Sequence, residues 1–346
     1  MELRVGVIRD DKYLLHRPGD GFPDRPERLA AVYEMLDRDF REGLITIKPE
    51  PVALEDLELV HTPEYVTKVL RSSERSLTPL SPGTVLAEGS YLAAWLAAGG
   101  CVKALQAMVA GRCEVCFALV RPPGHRAGRD AAAGACVFNN LGITARYAVE
   151  RYGMERVLIL DWDGDHGDGT QEMFYENKEV LYFSTHYDRR ESNSGSWDHT
   201  GAGEGLGYTV NIPLPSHLPD DDFVSIYWKC MGPLIRNFQP ELILVAAGFS
   251  AHIGEKTEEG ALTEASFSIL TEQLVELRDP LRSPPLLFAL EGGYDAGILP
   301  RCVKAVLDTL VAKGRRKPRR FSLSPTGVAL AEKARSIHAK YRVWTL

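Results

Sequence analysis

Short polar segments follow the apolar runs of this sequence. They are rich in His, Asp, Glu and Tyr, the side chains that transfer protons and ligate cations. The segments are residues 121–126, 161–169, 184–186, 248–252 and 291–294. In an open parallel sheet the carboxyl ends of the strands meet at one edge, and ligands bind there. We therefore expect these segments to converge on one pocket for a small molecule or a side chain.

The elements that must position these segments alternate between strand and helix. Apolar runs rich in β-branched residues predict buried strands at 3–8, 115–120, 157–160, 180–183, 242–246 and 285–290. Helical patterns lie at 26–39, 62–71, 90–110, 141–152, 223–237, 263–278 and 300–312. This alternation predicts an α/β fold with a mostly parallel central sheet covered on both faces. Since no linker or repeat interrupts the pattern, we expect a single domain over residues 1–346.

Composition narrows the class of protein. The 346 residues are 45% hydrophobic and 25% charged, a globular balance that excludes a disordered chain, a collagen and a coiled-coil rod. Apolar runs fall short of the roughly 18 residues of a spanning helix. With no signal-peptide pattern at the N-terminus, we expect a cytoplasmic protein without a membrane partner. The net charge of −7 disfavours nucleic acid. The basic run at 313–320 is interpreted as a solvated loop, with a nucleic-acid contact as the alternative.

The six cysteines are too few for a disulfide scaffold, which indicates a reducing compartment. Cys113 and Cys116 have the CxxC spacing, but no second pair of ligands lies nearby in the sequence. They adjoin a predicted strand, whose alternation would place the two thiols on different faces. We therefore predict neither a zinc site nor a redox role for them.

A series of motifs resembles, in order, those of the histone deacetylase superfamily, which includes the acetylpolyamine amidohydrolases. The motifs extend through nearly the whole chain, at 24–29, 60–65, 121–125, 137–140, 161–163, 166–171, 211–214, 247–249 and 290–294. The resemblance implies an arginase-like three-layer α/β fold and zinc-dependent hydrolysis of an acetamide. In the family an Asp, a His and an Asp hold zinc. Two adjacent histidines, each backed by an Asp, transfer protons, and a Tyr polarises the carbonyl.

The family's metal ligands match Asp163, Asp165 and Ser250, so Asp165 replaces a His and Ser250 replaces an Asp. The three side chains offer oxygen alone, which disfavours tight zinc binding and suits Mg²⁺ or Ca²⁺ completed by water. Asp163 and Asp165 lie two residues apart, so an extended segment points both to one side. Two buried carboxylates without a cation repel each other, and one would tend to take up a proton.

The resemblance also carries over a set of candidate catalytic residues. The paired histidines match His125 and Arg126, the aspartates behind them match Asp161 and Asp168, and the tyrosine matches Tyr294. Arginine stays protonated and cannot act as a base, which leaves His125, backed by Asp161, as the candidate base. We expect Arg126 to form an ion pair, either with the carboxylates of the altered metal position or with Asp168.

Further positions match the family's substrate pocket and its potassium sites. Gly134, Ala135 and Trp197 match pocket walls, with Ala135 in place of an aromatic residue. One potassium site matches Asp161, Ser184, Thr185 and the backbone of Asp163 and Asp165. The other matches Phe174, Asn177 and Val180. Because both sites use mainly backbone oxygens in the family, we expect structural K⁺ here.

Metal ligands and a proton-transfer residue change together, and losing zinc removes the activation of both water and carbonyl. The sequence therefore predicts a catalytically impaired or inactive deacetylase homologue that binds an acyl-amine, such as an acetyl-lysine or acetylpolyamine-like ligand. One alternative is an active amidohydrolase that uses a non-standard metal site or a relocated histidine, such as His166 or His252. Another is a structural or scaffolding role. Family members occur as monomers and oligomers, so a homo-oligomer is compatible with the resemblance.

Overall fold

The computed structural model describes residues 3–19, 21–72, 77–188, 194–255, 259–278, 283–312, 321–341 and 343. The basic run at 313–320 lies outside these residues. The described chain forms a single α/β domain around one eight-stranded sheet. Every pair of neighbouring strands in that sheet is parallel. The predicted fold class is thereby confirmed.

The strands are β1 (Val5–Ile8), β2 (Leu44–Ile47), β3 (Leu77–Ser81), β4 (Thr84–Ala87), β5 (Val115–Ala118), β6 (Val157–Asp161), β7 (Val180–Tyr187), β8 (Thr209–Leu214), β9 (Leu242–Ala247) and β10 (Leu286–Leu290). The large sheet has the order β2-β1-β5-β10-β9-β6-β7-β8, and β3 and β4 form a separate antiparallel ribbon. The sequence predicted six of the fully buried strands, which are β1, β5, β6, β7, β9 and β10. It missed β2, β8 and the ribbon.

The helices are α1 (Pro26–Asp39), α2 (Leu54–Leu57), α3 (Pro63–Arg71), α4 (Ser90–Val109), α5 (Asn140–Tyr152), α6 (Asp168–Phe174), α7 (Asp220–Phe238), α8 (Glu264–Arg278), α9 (Leu299–Val311) and α10 (Pro325–His338). The predicted helices agree with α1, α3, α4, α5, α7, α8 and α9 to within three residues at either end. Short α2 and α6, and α10, were not predicted.

The core lies at the centre of the sheet. All residues of β5, β6, β9 and β10 are buried, which requires cover on both faces of the sheet. Trp162 is fully buried and packs against Phe267 of α8 and Phe288 of β10, with ring centroids 6.0 and 5.8 Å away. Burying one large apolar side chain contributes about 1.5–3 kcal/mol. The loop after β6 therefore starts from a rigid base.

Helix α4 is long and apolar enough, by length and composition, to cross a membrane. However, 72% of its apolar window is buried inside the domain. Its glycines let the chain pack closely, since a Cβ on Gly99 would lie 1.9 Å from the carbonyl oxygen of Glu50. We therefore interpret α4 as a core helix.

The thiols of Cys113 and Cys116 face the same neighbour, so the prediction that they lie on different faces is wrong. A Cβ added at Gly6 would be 3.0 Å from the Cys113 sulfur and 3.2 Å from the Cys116 sulfur. Cys113 precedes β5, and strand alternation therefore does not extend to it. All six cysteines are buried and free.

The strand order brings the polar segments together. Strands β10, β9 and β6 are adjacent, and β5 and β7 flank them. Asp161, the last residue of β6, is in register with Ala246 on one side and Ser184 on the other. Segments that are far apart in the sequence therefore emerge side by side at the carboxyl edge of the sheet.

Candidate functional site

Asp163 follows β6 and is buried, with 1% of its surface exposed. Its Oδ1 accepts hydrogen bonds from the Ser250 hydroxyl at 2.5 Å and from the Asp165 N–H at 3.0 Å. Its Oδ2 accepts one from the Gly292 N–H at 2.8 Å. A Cβ at Gly248 would lie only 1.6 Å from Oδ2. Protein donors therefore engage both carboxylate oxygens, and close backbone contact fixes their position.

Asp165 lies in a different environment. Its side chain is partly exposed and lines a cavity, whereas that of Asp163 is buried. The prediction of two buried carboxylates is therefore wrong for Asp165.

Arg126 forms an ion pair with Asp168, one of the two alternatives that the sequence left open. Its Nε donates to Oδ1 of Asp168 at 3.4 Å, and each side chain is 35% exposed. Burial lowers the pKa of Arg126, but the charges of Asp168 and Asp165 outweigh it and raise the pKa overall. The side chain lies against Gly134, where an added Cβ would be 3.3 Å from a guanidinium nitrogen. Arg126 is therefore a permanent cation beside Asp168.

His125 is buried between two carboxylates. Its Nδ1 lies 3.0 Å from Oδ2 of Asp161, which also accepts a hydrogen bond from the Tyr182 hydroxyl at 2.9 Å. Burial lowers the pKa of His125, but the charges of Asp161 and Glu291 outweigh it and raise the pKa to about 10. The imidazole is therefore protonated at neutral pH. It must lose that proton before it can serve as the base that the sequence suggested.

Tyr294 follows Gly292 and Gly293 and is partly buried. Burial and the negative charges of Asp163 and Asp165 raise the pKa of its hydroxyl well above the usual range. The hydroxyl therefore stays protonated and can donate a hydrogen bond. The backbone N–H of Tyr294 is held by the Glu255 carboxylate at 3.0 Å. This arrangement keeps a neutral hydrogen-bond donor near Asp163 and Asp165.

A cavity of about 360 Å³ opens beside Arg126, Asp165 and Asp168. Its lining includes Arg126, Asp165, His166, Asp168, His186, Asp188, Ser194 and Trp197. Burial lowers the pKa of His186 to about 4 and that of His166 well below its usual value. Both rings are therefore neutral at pH 7, and among the described lining residues this leaves three carboxylates against one guanidinium. A negative cavity with an indole wall suits a cationic ligand.

Two of the predicted wall residues do not line this cavity. Gly134 contacts the Arg126 side chain, and its carbonyl accepts a hydrogen bond from Thr84 at 2.6 Å. Ala135 is half-buried. Trp197 does line the cavity, and Nζ of Lys333 lies 4.1 Å from the centroid of its ring.

A family profile described as "Histone deacetylase domain" matches residues 22–310. The chain belongs to the histone deacetylase family. It is 36% identical over 300 residues to a protein of Archaeoglobus fulgidus named "Probable deacetylase", covering 86% of this chain and 83% of the relative. It is also 36% identical over 304 residues to "Polyamine deacetylase HDAC10" of Homo sapiens, covering 83% of this chain and 44% of the relative.

The fold comparison agrees with the sequence comparison. A solved structure titled "Crystal Structure of HDA15 HD domain" aligns with a TM-score of 0.89 and 31% identity, covering 99% of this chain and 96% of that chain. This deacetylase-family protein spans less than half the length of its human relative. The predicted family is thereby confirmed.

Two histidines that could have replaced a metal ligand form local contacts instead. In this deacetylase-family protein, Nδ1 of His166 lies 3.0 Å from the Ser194 hydroxyl, and the centroid of its ring lies 4.3 Å from that of His186, with the two rings tilted by 49°. Nδ1 of His252 accepts a hydrogen bond from the Gly254 N–H at 2.9 Å. Neither ring is grouped with Asp163 as a ligand.

The positions matched to potassium sites are close together in space. The Ser184 hydroxyl lies 2.9 Å from Nδ1 of His186. The Thr185 hydroxyl lies 2.6 Å from the Tyr227 hydroxyl, and the Tyr227 hydroxyl also donates a hydrogen bond to the Asp161 carbonyl at 3.4 Å. In the second set, the Asn177 N–H donates to the Phe174 carbonyl at 3.0 Å, and Oδ1 of Asn177 accepts from the Val180 N–H at 2.9 Å.

Sequence reasoning missed a group that the fold of this deacetylase-family protein assembles. Within the described residues, the His, Cys, Asp and Glu side chains whose ligand atoms cluster within 4.8 Å are His125, Cys136 and Glu291. Cys136 directly precedes the motif at 137–140, and Glu291 lies within the motif at 290–294. Their types were visible in the sequence, but their proximity depends on the order of the strands.

Proposed function

We propose that this protein is a catalytically impaired or inactive deacetylase homologue that binds an acyl-amine, such as an acetyl-lysine or acetylpolyamine-like ligand. The observation that carries the proposal is the hydrogen bond from Ser250 to Asp163. The Ser250 hydroxyl donates a hydrogen bond to the neighbouring carboxylate. At this position the family has a carboxylate that ligates the metal. Ser250 and Asp163 therefore form a hydrogen bond with each other that needs no divalent ion.

The residues at the family's metal position do not fit a tetrahedral zinc ion. Asp163, Asp165 and Ser250 offer oxygen alone, and zinc sites in proteins draw on His nitrogen or Cys sulfur with few carboxylates. A hard cation such as Mg²⁺ or Ca²⁺, with water in its shell, suits this donor set better. Without zinc, neither the water nor the acetamide carbonyl is activated as in the family. Arg126 cannot supply the missing base, because it remains protonated.

The ligand that suits the cavity is a cationic amine carrying an acyl group. Asp165, Asp168 and Asp188 outweigh the charge of Arg126, and Trp197 provides an aromatic wall. The name of the human relative, a polyamine deacetylase, agrees with this choice. Tyr294 would donate a hydrogen bond to the acyl oxygen, since its hydroxyl stays protonated.

We also infer structural potassium ions at the two oxygen-rich loops. An ion near Asp161, Ser184 and Thr185 would hold the loop that carries Asp163. An ion near Phe174 and Asn177 would stabilise the turn that leads into β7. Both would support the site without taking part in chemistry.

A second candidate function is an active amidohydrolase with a non-standard metal site. The group formed by His125, Cys136 and Glu291 favours it, because that group contains the nitrogen and sulfur ligands that the family's position lacks. This candidate predicts hydrolysis that a chelator abolishes.

The experiment compares binding with turnover. The purified chain is titrated calorimetrically with N-acetylspermidine and with an acetyl-lysine peptide, and hydrolysis is assayed with and without Zn²⁺, Co²⁺ or Mn²⁺. We expect binding without appreciable hydrolysis. The triple variant Arg126→His, Asp165→His and Ser250→Asp should gain zinc-dependent hydrolysis. Substantial hydrolysis by the unaltered chain, abolished by a chelator, would establish the second candidate instead.

A further inference from the structure

His125, Cys136 and Glu291 form a buried group outside the position of the family's metal ligands. One ligand atom of each side chain lies within 4.8 Å of the other two. The three residues come from the loop after β5, the loop before α5 and the residue after β10. Each is less than 5% exposed. The fold thus brings a nitrogen, a sulfur and an oxygen ligand to one point.

Glu291 presents one oxygen that no protein donor satisfies. Its Oε2 accepts hydrogen bonds from the Gly124 N–H at 2.7 Å and the His125 N–H at 3.1 Å. Its Oε1 is buried and has no hydrogen-bond partner among the described residues. Buried polar atoms in folded proteins are nearly always paired. Because the two N–H groups hold Oε2, they also fix the position of Oε1 in the same carboxylate. Oε1 is therefore free to ligate a cation.

His125 is held as a metal-ligating histidine is held. Its Nδ1 faces the Asp161 carboxylate at 3.0 Å, and the Tyr182 hydroxyl steadies the same carboxylate oxygen at 2.9 Å. Metal-bound histidines usually donate their second ring N–H to a carboxylate, which fixes both ring and tautomer. Nε2 is then the nitrogen that remains for a cation.

Cys136 completes the donor set. It is a free cysteine with 2% of its surface exposed. Imidazole, thiolate and carboxylate together are ligands of Zn²⁺ and Co²⁺, whereas Mg²⁺ and Ca²⁺ take oxygen. We propose that His125, Cys136 and Glu291 bind a divalent cation of the zinc class at a site separate from Asp163, Asp165 and Ser250. Binding would release two protons to solvent, one from the thiol of Cys136 and one from Nε2 of the His125 imidazolium, and leave the ion neutralised by one thiolate and one carboxylate.

The geometry allows this with small side-chain movements. Bonds of about 2.0–2.3 Å to zinc place neighbouring ligand atoms of a tetrahedral site roughly 3.3–3.8 Å apart. The ligand atoms lie within 4.8 Å of one another, so each distance would shorten by up to about 1.5 Å around the ion. Three protein ligands leave a fourth position for water or another ligand. The proposal concerns binding, and it does not require that the protein hydrolyse anything.

The test uses cobalt as a spectroscopic probe. The metal-free 346-residue chain is titrated with Co²⁺ alone, and binding is followed by absorption. We expect one equivalent to bind with a thiolate-to-cobalt charge-transfer band in the near ultraviolet, and Zn²⁺ to displace it. Cys136→Ser should abolish the band and weaken binding more than about tenfold. Cys101→Ser, at a buried free cysteine of α4, is the matched control and should keep the band.

Two further variants make the result decisive. Glu291→Gln keeps an oxygen for the two backbone donors and should also weaken binding more than about tenfold. If circular dichroism without metal shows that Cys136→Ser does not fold, the Glu291→Gln variant alone provides the test. Ser250→Ala should leave the band and the stoichiometry unchanged. The proposal is overturned if the native chain binds no Co²⁺, if Glu291→Gln keeps full affinity, or if Ser250→Ala removes the site.

Discussion

The hydroxyl of Ser250 donates a hydrogen bond to Oδ1 of Asp163 at 2.5 Å. The two residues lie in the loops after β9 and β6, which are neighbouring strands of the sheet. This bond, with two backbone N–H groups, satisfies a carboxylate that has 1% of its surface exposed. Ser250 therefore contributes to the stability of the site, in addition to its place in a family motif.

Replacing Ser250 with Ala should lower the free energy of unfolding by about 1.5–3 kcal/mol, the usual cost of losing a hydrogen bond to a buried charge. Urea denaturation at pH 7 measures the change. Ser216→Ala, at an exposed serine, should stay within about 0.5 kcal/mol of the unaltered chain. Equal stability of the two variants would show that the hydroxyl does not serve the carboxylate.

The charges of the cavity should control its affinity for an acylated amine. Arg126→Gln removes the cation among three carboxylates and should strengthen binding of N-acetylspermidine by about two- to tenfold. Asp188→Asn should weaken binding by a similar factor. Calorimetry at low and at high salt measures both changes, which should shrink as salt screens the charges.

Asp198→Asn is the matched control for the cavity, because Asp198 is exposed and does not line it. We expect no change in affinity there. Weaker binding of N-acetylspermidine by Arg126→Gln would contradict the proposal that the carboxylates of the cavity attract the positive charge of the ligand.

Gly248 leaves no room for a side chain. An added Cβ would lie 1.6 Å from Oδ2 of Asp163, a contact that must displace a buried carboxylate held by three donors. Gly248→Ala should therefore destabilise the fold by about 3 kcal/mol or more, measured by thermal unfolding. Gly21→Ala, where an added Cβ meets nothing within 4 Å, is the control and should leave the unfolding temperature nearly unchanged.

His61 should make stability depend on pH. Its Nε2 accepts a hydrogen bond from the Asn139 N–H at 2.9 Å, and burial lowers its pKa to about 4. In the unfolded chain the pKa is near 6.5, so the unfolded state binds the proton more tightly. The contribution of His61 is complete above pH 6.5 and is lost as pH falls towards 4, up to about 3 kcal/mol.

Urea denaturation between pH 7 and pH 4.5 tests the role of His61. His61→Gln keeps an oxygen acceptor for Asn139 but has no titrating ring, so its stability should fall less steeply with decreasing pH. His217→Gln, at an exposed ring, should follow the unaltered chain. Parallel curves for all three proteins would contradict the assignment.

The sequence predicted the central strands because they are buried on both faces and therefore read as continuous apolar runs. The predicted run 242–246 agrees with β9, for example. Strand β2 was missed because it is a partly exposed edge strand of four residues. Helix α6 was missed because its seven residues begin within a polar loop. Edge exposure and short length weaken the periodic signal that sequence reasoning needs.

The site was only partly predictable. Motif order placed Asp163 and Ser250 at adjacent strand ends, but the hydrogen bond between them depends on rotamers. The choice of Asp168 as the partner of Arg126 depends on which carboxylate the guanidinium can reach from its position against Gly134. The grouping of Cys136 with Glu291 results from strand order, which local patterns do not encode.

The contact between Lys333 and Trp197 connects the last described helix, α10, to the wall of the cavity. The family match stops at residue 310, before that helix begins. A recombinant fragment that ends at residue 310 would therefore retain the sheet but lose Lys333, which would expose one face of the Trp197 indole. Ligand affinities measured on such a fragment would describe a cavity with an altered wall at Trp197.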